Sequence, residues 1–92
     1  MTFSFDPRKA ASNLRKHGVS FNEATTAFAD HLSAEFLDSG HSDEEERWIL
    51  IGVSAYQRLL FVVYTVRESA IRIIGARLAT TKEREDYEEN KP

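Results

Sequence analysis

The chain has 92 residues, 41% of them hydrophobic and 29% charged, with a net charge of −3, the profile of an ordinary soluble globular chain able to bury one modest core. It contains no cysteine, which excludes a disulfide framework and a thiolate metal site and leads us to expect a reducing cytoplasm. No stretch of twenty apolar residues and no signal-like N-terminus occurs, so neither a membrane span nor a secretion signal is expected.

The first element, Phe3 to Asp6, alternates and is long enough only for an edge strand. Asp6 followed by Pro7 opens a helix, because the aspartate accepts an orphan backbone N–H and proline suits the first helical position. That helix should run through Leu14 to about His17 and stop at Gly18, the residue best able to adopt a left-handed conformation. Ser20 to Glu23 is a capping-box pattern that opens a second helix, FNEATTAFA, with Phe21, Ala24, Ala27 and Phe28 on one face. After Asp30 the period changes. Ser33 to Leu37 reads as a strand and DSGHSDEEE as an exposed turn. ERWILIGVS, RLLFVVYTV and AIRIIGAR follow as three strands of an antiparallel meander joined by short turns. Thr80 to Glu83 is another capping box and launches a last helix, TKEREDYEEN, whose polar far end should fray over residues 85–92.

These elements, in the order β-α-α-β-β-β-β-α, predict a single α+β domain over residues 1–92. Two N-terminal helices and one C-terminal helix should pack on one face of a small antiparallel β-sheet.

Charge is distributed unevenly. Residues 1–29 sum to +2, residues 30–46 to −7, residues 47–84 to +5 and the last eight residues to −3. Such a mosaic can bind an anion on one face and a cationic protein on another, although scattered charge is more often a solvated surface.

Within the apolar central strands the arginines are the informative residues. In the run AIRIIGAR, strand alternation gives Arg72 and Arg77 opposite faces. They can share a face only if Gly75 marks a bulge, or if the strand ends at Ala76 and Arg77 turns back over its end. An unpartnered arginine inside the core is excluded by the cost of desolvating its charge. Arg72 is therefore expected on the sheet face that the helices leave open, its stem on apolar neighbours and its head toward a ligand.

Lys16 and His17 stand in the last turn of the first helix, where cations compensate the helix dipole. The same two side chains beside arginines can bind phosphate, and histidine exchanges a proton near neutral pH. His31 and His41 are weaker candidates. His41 with the acids at 43–46 has metal-ligand types, but a solvated acidic loop is the commoner outcome of that pattern. No zinc-protease, EF-hand, P-loop, dinucleotide-binding or nucleophile-elbow motif occurs, so no cofactor is expected.

Arginines, a lysine and a histidine on an open sheet suit one reaction in particular, cleavage of RNA by attack of its own 2′-hydroxyl. The substrate supplies the nucleophile, and the protein supplies charge for the developing phosphorane and a group to move protons. Exposed Trp48, Tyr56 or Tyr64 can stack bases, although core filling is the better account of Trp48 and Tyr64.

The segments DPRKAASNLRKHGVSFNEAT, EERWILIGVS, LLFVVYTVRE and IRIIGARLATTKEREDYEE, in that order and spacing, resemble the BrnT family of toxins from bacterial type II toxin–antitoxin modules. The most specific pieces are Lys16 to Phe21, the pair Glu46 and Arg47, and Arg72 to Arg84. The resemblance covers nearly the whole chain. It implies a fold similar to that of RelE-type toxins, small ribonucleases that work without a bound metal and inhibit translation. It also implies a ribbon-helix-helix antitoxin partner, BrnA, which neutralises the toxin and carries the contact with operator DNA. A homodimer or a heterotetramer with the antitoxin is compatible with it. Residue by residue it implies a cationic cleavage surface of Arg72, Arg77 and Arg47, with Lys16 and His17 nearby. The acidic net charge departs from the basic balance usual for such toxins and weakens bulk attraction to RNA, which local clustering can restore.

Two other readings stand beside the ribonuclease. One is a non-catalytic partner retained as co-repressor in a toxin–antitoxin complex. The other is purely structural, with the arginines pairing across strands with Glu45, Glu46 or Glu68.

Overall fold

The computed structural model describes residues 1–41 and 45–89. Residues 42–44 of the expected acidic turn and residues 90–92 of the expected acidic tail lie outside the described residues.

Strand β1 (Phe3–Ser4) is followed by helix α1 (Pro7–His17) and helix α2 (Phe21–Thr26), which tightens into a 3-10 turn at Ala27–Ala29. Strand β2 (Ala34–Leu37) leads through a short 3-10 turn to β3 (Trp48–Val53), β4 (Leu59–Arg67), β5 (Ala70–Leu78) and helix α3 (Thr81–Glu89). The sheet order is β1-β5-β4-β3-β2. Its four longer strands are antiparallel, as the short connections require, but β1 joins the edge of β5 in parallel, so the sheet is mixed. A parallel edge needs a crossover in the chain, and only the tertiary fold supplies it.

The helix boundaries follow from local chemistry. Asp6 has extended backbone and its carboxylate accepts from the Arg8 N–H at 2.8 Å. Gly18 sits at φ 68° and its N–H donates to the Leu14 carbonyl at 2.9 Å, a left-handed cap that a side chain would strain. At Ser20 half of the capping box forms. Its hydroxyl accepts from the Glu23 N–H at 2.9 Å, while the Glu23 carboxylate turns inward to Ser54 and Arg58.

Two apolar layers sandwich the sheet. Leu50, Leu60, Val62, Tyr64, Ile73 and Ala76 bury one face against Val19, Phe21, Ala24 and Ala27 of the α1–α2 region. Ile49, Ile51 and Leu59 on the opposite face pack against Tyr87 of α3. The helices therefore occupy both faces rather than one. The reason lies in Tyr87, which is 4% exposed and whose hydroxyl donates to Asp30 Oδ2 at 2.7 Å, anchoring α3 on the face opposite α1 and α2. The expected fraying segment is helical from Glu85 through Glu89.

Beyond Arg72 the edge of β5 has no strand beside it in the register, and a side chain takes the strand's place. The Asn13 amide donates to the Ala76 carbonyl at 2.7 Å and accepts from the Ala76 N–H at 3.1 Å, while also donating to the Val19 carbonyl at 2.9 Å. One amide thus ties α1 to the sheet and blunts an open edge.

Candidate functional site

The site is organised by an irregularity in β5. Val63 pairs with Gly75 and Tyr64 with Ile73, leaving Ile74 as the extra residue of a bulge. Because one residue is skipped, Arg72, opposite Thr65, and Arg77, opposite Phe61, project from the same face. This is the face of Ile49, Ile51 and Val63, away from α1 and α2. Of the two geometries that reconcile the arginines, the bulge is the one adopted, and β5 continues to Leu78. The two residues stand about 13 Å apart along the strand at the usual rise per residue. The expected cationic surface accordingly divides into two hollows.

The first hollow, of about 540 Å³, lies at the end of the face that α3 leaves open and is lined by Ser4, Arg67, Glu68, Ala70 and Arg72. Arg72 is half-buried, and its guanidinium makes one long hydrogen bond, 3.5 Å, to Ser4 Oγ. Arg67 presents its fork to Glu45, with N–H to oxygen distances of 3.0 and 2.8 Å. Arg47 directly precedes β3 and is half-buried. The Arg67 hydrogen bonds hold the Glu45 carboxyl below the usual carboxylate range, and the charges of Arg47 and Arg72 act in the same direction. Thr65, fully buried, donates to the Glu46 carbonyl at 2.7 Å and secures the segment that carries Glu45 and Arg47. Arg67, at the last position of β4, belongs to this cluster. Its alternation with Thr65 and Val63 was visible in the sequence, but its turn-like neighbours Glu68 and Ser69 concealed it.

The second hollow, of about 160 Å³, lies across the bulge, where His17 and Asn13 of α1 face Gly75, Ala76 and Arg77 over a floor of Phe61 and Val63. A neighbouring depression of about 200 Å³ adds Lys9 and Lys16 beside Ile74. His17 therefore shares a hollow with Arg77 and Lys16 lines the depression next to it, whereas Arg72 lines the other hollow and the charge of Arg47 acts on Glu45 beside it. Arg77 is already engaged. Its fork donates to both Glu83 oxygens at 2.7 and 2.9 Å, its Nη1 also donates to the Leu78 carbonyl at 3.2 Å, and its guanidinium lies 3.9 Å over the Phe61 ring. The Arg77 hydrogen bonds hold the Glu83 carboxyl below its ordinary value. Arg77 is thus a brace for α3, its fork filled by Glu83 rather than open to phosphate.

A third arginine pairing is internal. Arg58 donates from Nε to Glu23 at 2.9 Å and from Nη2 to its other oxygen, and Ser54 donates to the same carboxylate at 2.7 Å. Arg58 Nη2 also donates to the Gly18 carbonyl at 3.0 Å. The network pins α2 to the β3–β4 turn and holds the Glu23 carboxyl below its ordinary range, chiefly through Arg58.

Trp48 and Tyr64 pack in the core, Tyr64 with its hydroxyl donating to Glu35, while Tyr56 is 72% exposed. Among the described residues no three His, Cys, Asp or Glu side chains gather as a metal-ligand set, and no helix is long and apolar enough to cross a membrane.

Residues 5–83 match the family described as ribonuclease toxin, BrnT, of type II toxin–antitoxin system. Among solved structures, the chain is similar to the 1.1 Å crystal structure of the Brucella abortus ribonuclease toxin BrnT. The two share 21% identity with a TM-score of 0.66, over 88% of this chain and 99% of that one. At that identity the likeness concerns the fold. A comparison with curated proteins finds no match.

Proposed function

The chain belongs to the BrnT family of ribonuclease toxins of type II toxin–antitoxin systems, and from that membership we propose that it is an endoribonuclease that cleaves RNA without a metal ion and thereby inhibits translation. The observation that carries this reading is the grouping of Arg67 and Arg72 about one hollow, with Arg47 close enough to act on the same carboxylate.

RNA brings its own nucleophile. The 2′-hydroxyl loses its proton and attacks the adjacent phosphorus, the bond from phosphorus to the 5′ oxygen breaks, and that oxygen takes up a proton. A 2′,3′-cyclic phosphate and a 5′-hydroxyl result. The five-coordinate phosphorus carries extra negative charge, and forked donors held ready for it lower the barrier. In this reading Arg72 and Arg47 donate to the phosphate oxygens. Lys16 and His17, across the bulge, contact a flanking phosphate. Arg77 serves as a positioning residue that holds α3 through Glu83.

A type II system implies a protein antitoxin. We propose one of the BrnA ribbon-helix-helix type, which would carry the contact with operator DNA in a dimeric or heterotetrameric complex, and a RelE-like kinship for the toxin fold. The acidic residues of the 30–46 segment and of α3 are complementary to a basic DNA-binding partner. A second reading, a non-catalytic co-repressor subunit, is favoured by one observation: the forks of Arg67 and Arg77 are both turned to carboxylates.

Incubation of the purified protein with RNA in the presence of chelator tests the proposal. Cyclic-phosphate ends are expected from wild type, with cleavage lowered at least about a hundredfold in Arg72→Ala. Undiminished cleavage by Arg72→Ala removes Arg72 from the site. No cleavage, together with unchanged RNA decay and protein synthesis after induction in cells, replaces the enzyme with the co-repressor.

A further inference from the structure

The arginine end of the sheet contains its own anion. Guanidiniums gathered at one end of a sheet repel one another unless negative charge lies among them, and here Glu45 supplies it through two hydrogen bonds from Arg67, at 3.0 and 2.8 Å. Two parallel N–H donors on two oxygens of one group is also the geometry in which a guanidinium grips a phosphate.

The pair is poorly explained as a structural strut. The Arg67 and Glu45 side chains are 53% and 37% exposed, and ion pairs at such exposure add little stability. The contrast with Glu83 is instructive. Glu83 also accepts from the Thr80 N–H at 2.9 Å and belongs to the first turn of α3, so its release would uncap a helix. The hydrogen bonds of Glu45 among the described residues both come from Arg67, and it precedes β3 in a segment without regular structure. Its departure would break no other hydrogen bond among the described residues, and the charges of Arg47 and Arg72 that favour it would favour a phosphate in its place.

We propose that this end of the sheet is a seat for one phosphate group of RNA, with Arg67 as a further phosphate-binding residue, and that the Glu45 carboxylate occupies the Arg67 fork until RNA displaces it. The proposal rests on the ribonuclease reading and adds to it a residue and an internal competitor. The exchange is balanced in charge, since a carboxylate and a phosphodiester each carry a single negative charge. The cost to RNA is that the displaced Glu45 remains nearby.

Removing the competitor should therefore strengthen binding. A short single-stranded 2′-O-methyl oligoribonucleotide, which lacks the attacking hydroxyl and cannot be cleaved, is titrated at several salt concentrations against folded wild type, Glu45→Gln, Arg67→Gln and the double variant. Glu88→Gln, on the exposed side of α3, serves as the charge control. We expect Glu45→Gln to bind about three- to tenfold more tightly at low salt, with a dependence on log salt steeper by about 0.7, because in wild type the released Glu45 carboxylate takes up a cation and offsets the counterion released from one phosphate. In the double variant the gain should vanish, and Arg67→Gln alone should bind more weakly than wild type. Unchanged or weaker binding by Glu45→Gln overturns the proposal, as does an equal gain in the double variant or in Glu88→Gln. If the proposal fails while Arg72→Ala still loses cleavage, the ribonuclease reading stands without it. If no variant binds and wild type cleaves nothing, both fall.

Discussion

Arg77 and Glu83 meet fork to fork, with N–H to oxygen distances of 2.7 and 2.9 Å, and Glu83 simultaneously caps α3 by accepting from the Thr80 N–H at 2.9 Å. One carboxylate thus joins β5 to the start of the last helix. A residue that the family resemblance would offer to substrate is bound instead to its own chain.

Arg77→Ala should accordingly destabilise the protein by about 1 to 2 kcal/mol, through loss of the charge-assisted hydrogen bonds and of the contact with Phe61. Chemical denaturation measures it, and a double-mutant cycle with Glu83→Ala should show the two losses to be coupled. Additive losses would mean that the pair contributes nothing as a pair.

Arg72→Ala should behave oppositely. Its guanidinium makes one 3.5 Å hydrogen bond to Ser4, so unfolding free energy should change by no more than about 0.5 kcal/mol while RNA cleavage falls. A large loss of thermal stability would favour the purely structural account of this arginine.

Glu23 is 4% exposed and accepts from Ser54 and Arg58, so Glu23→Ala should cost about 2 to 3 kcal/mol by leaving those donors without a partner. Its carboxyl lies below the ordinary carboxylate value in the folded protein, as does that of Glu83. A depressed folded pKa stabilises fully above the unfolded value of about 4.3 and is lost as pH falls through the folded one. Thermal midpoints measured from pH 7 down to pH 3 should therefore drop more steeply below about pH 4.5 for wild type than for Glu23→Ala.

Gly52 lies in β3 under the 3-10 turn, and a Cβ there would stand 2.9 Å from the Ala27 carbonyl oxygen and 3.2 Å from Ser33 Cβ. Neither neighbour is the flexible end of a side chain. Gly52→Ala should lower stability by about 1 to 3 kcal/mol, read by denaturant unfolding. A neutral outcome would show that the turn can lift from the sheet without loss.

Most of the fold was legible because its cues are local. Asp6-Pro7 and Gly18 bound α1, Thr80 and Glu83 form the full capping box, and the apolar runs of β3, β4 and β5 lie where alternation and turn residues put them. The candidate site was legible in part. Arg72 stands out as an interruption of an apolar strand and Arg47 enters only through the family resemblance, whereas Arg67 is hidden beside a turn. The Asn13 contact with Ala76 joins residues 63 positions apart, and no local pattern announces it.

The sequence by itself determined which segments form helices and strands, because caps, alternation and turn chemistry act within a few residues. Tertiary structure alone decided on which face each charge lies and which carboxylate it meets. The bulge at Ile74 depends on matching β5 to β4, the position of α3 depends on Tyr87 reaching Asp30, the pairing of Arg77 with Glu83 depends on both, and that of Arg67 with Glu45 depends on the register of β3 against β4. Charge acts through space at a few ångströms, so its consequences are settled only after the chain has folded.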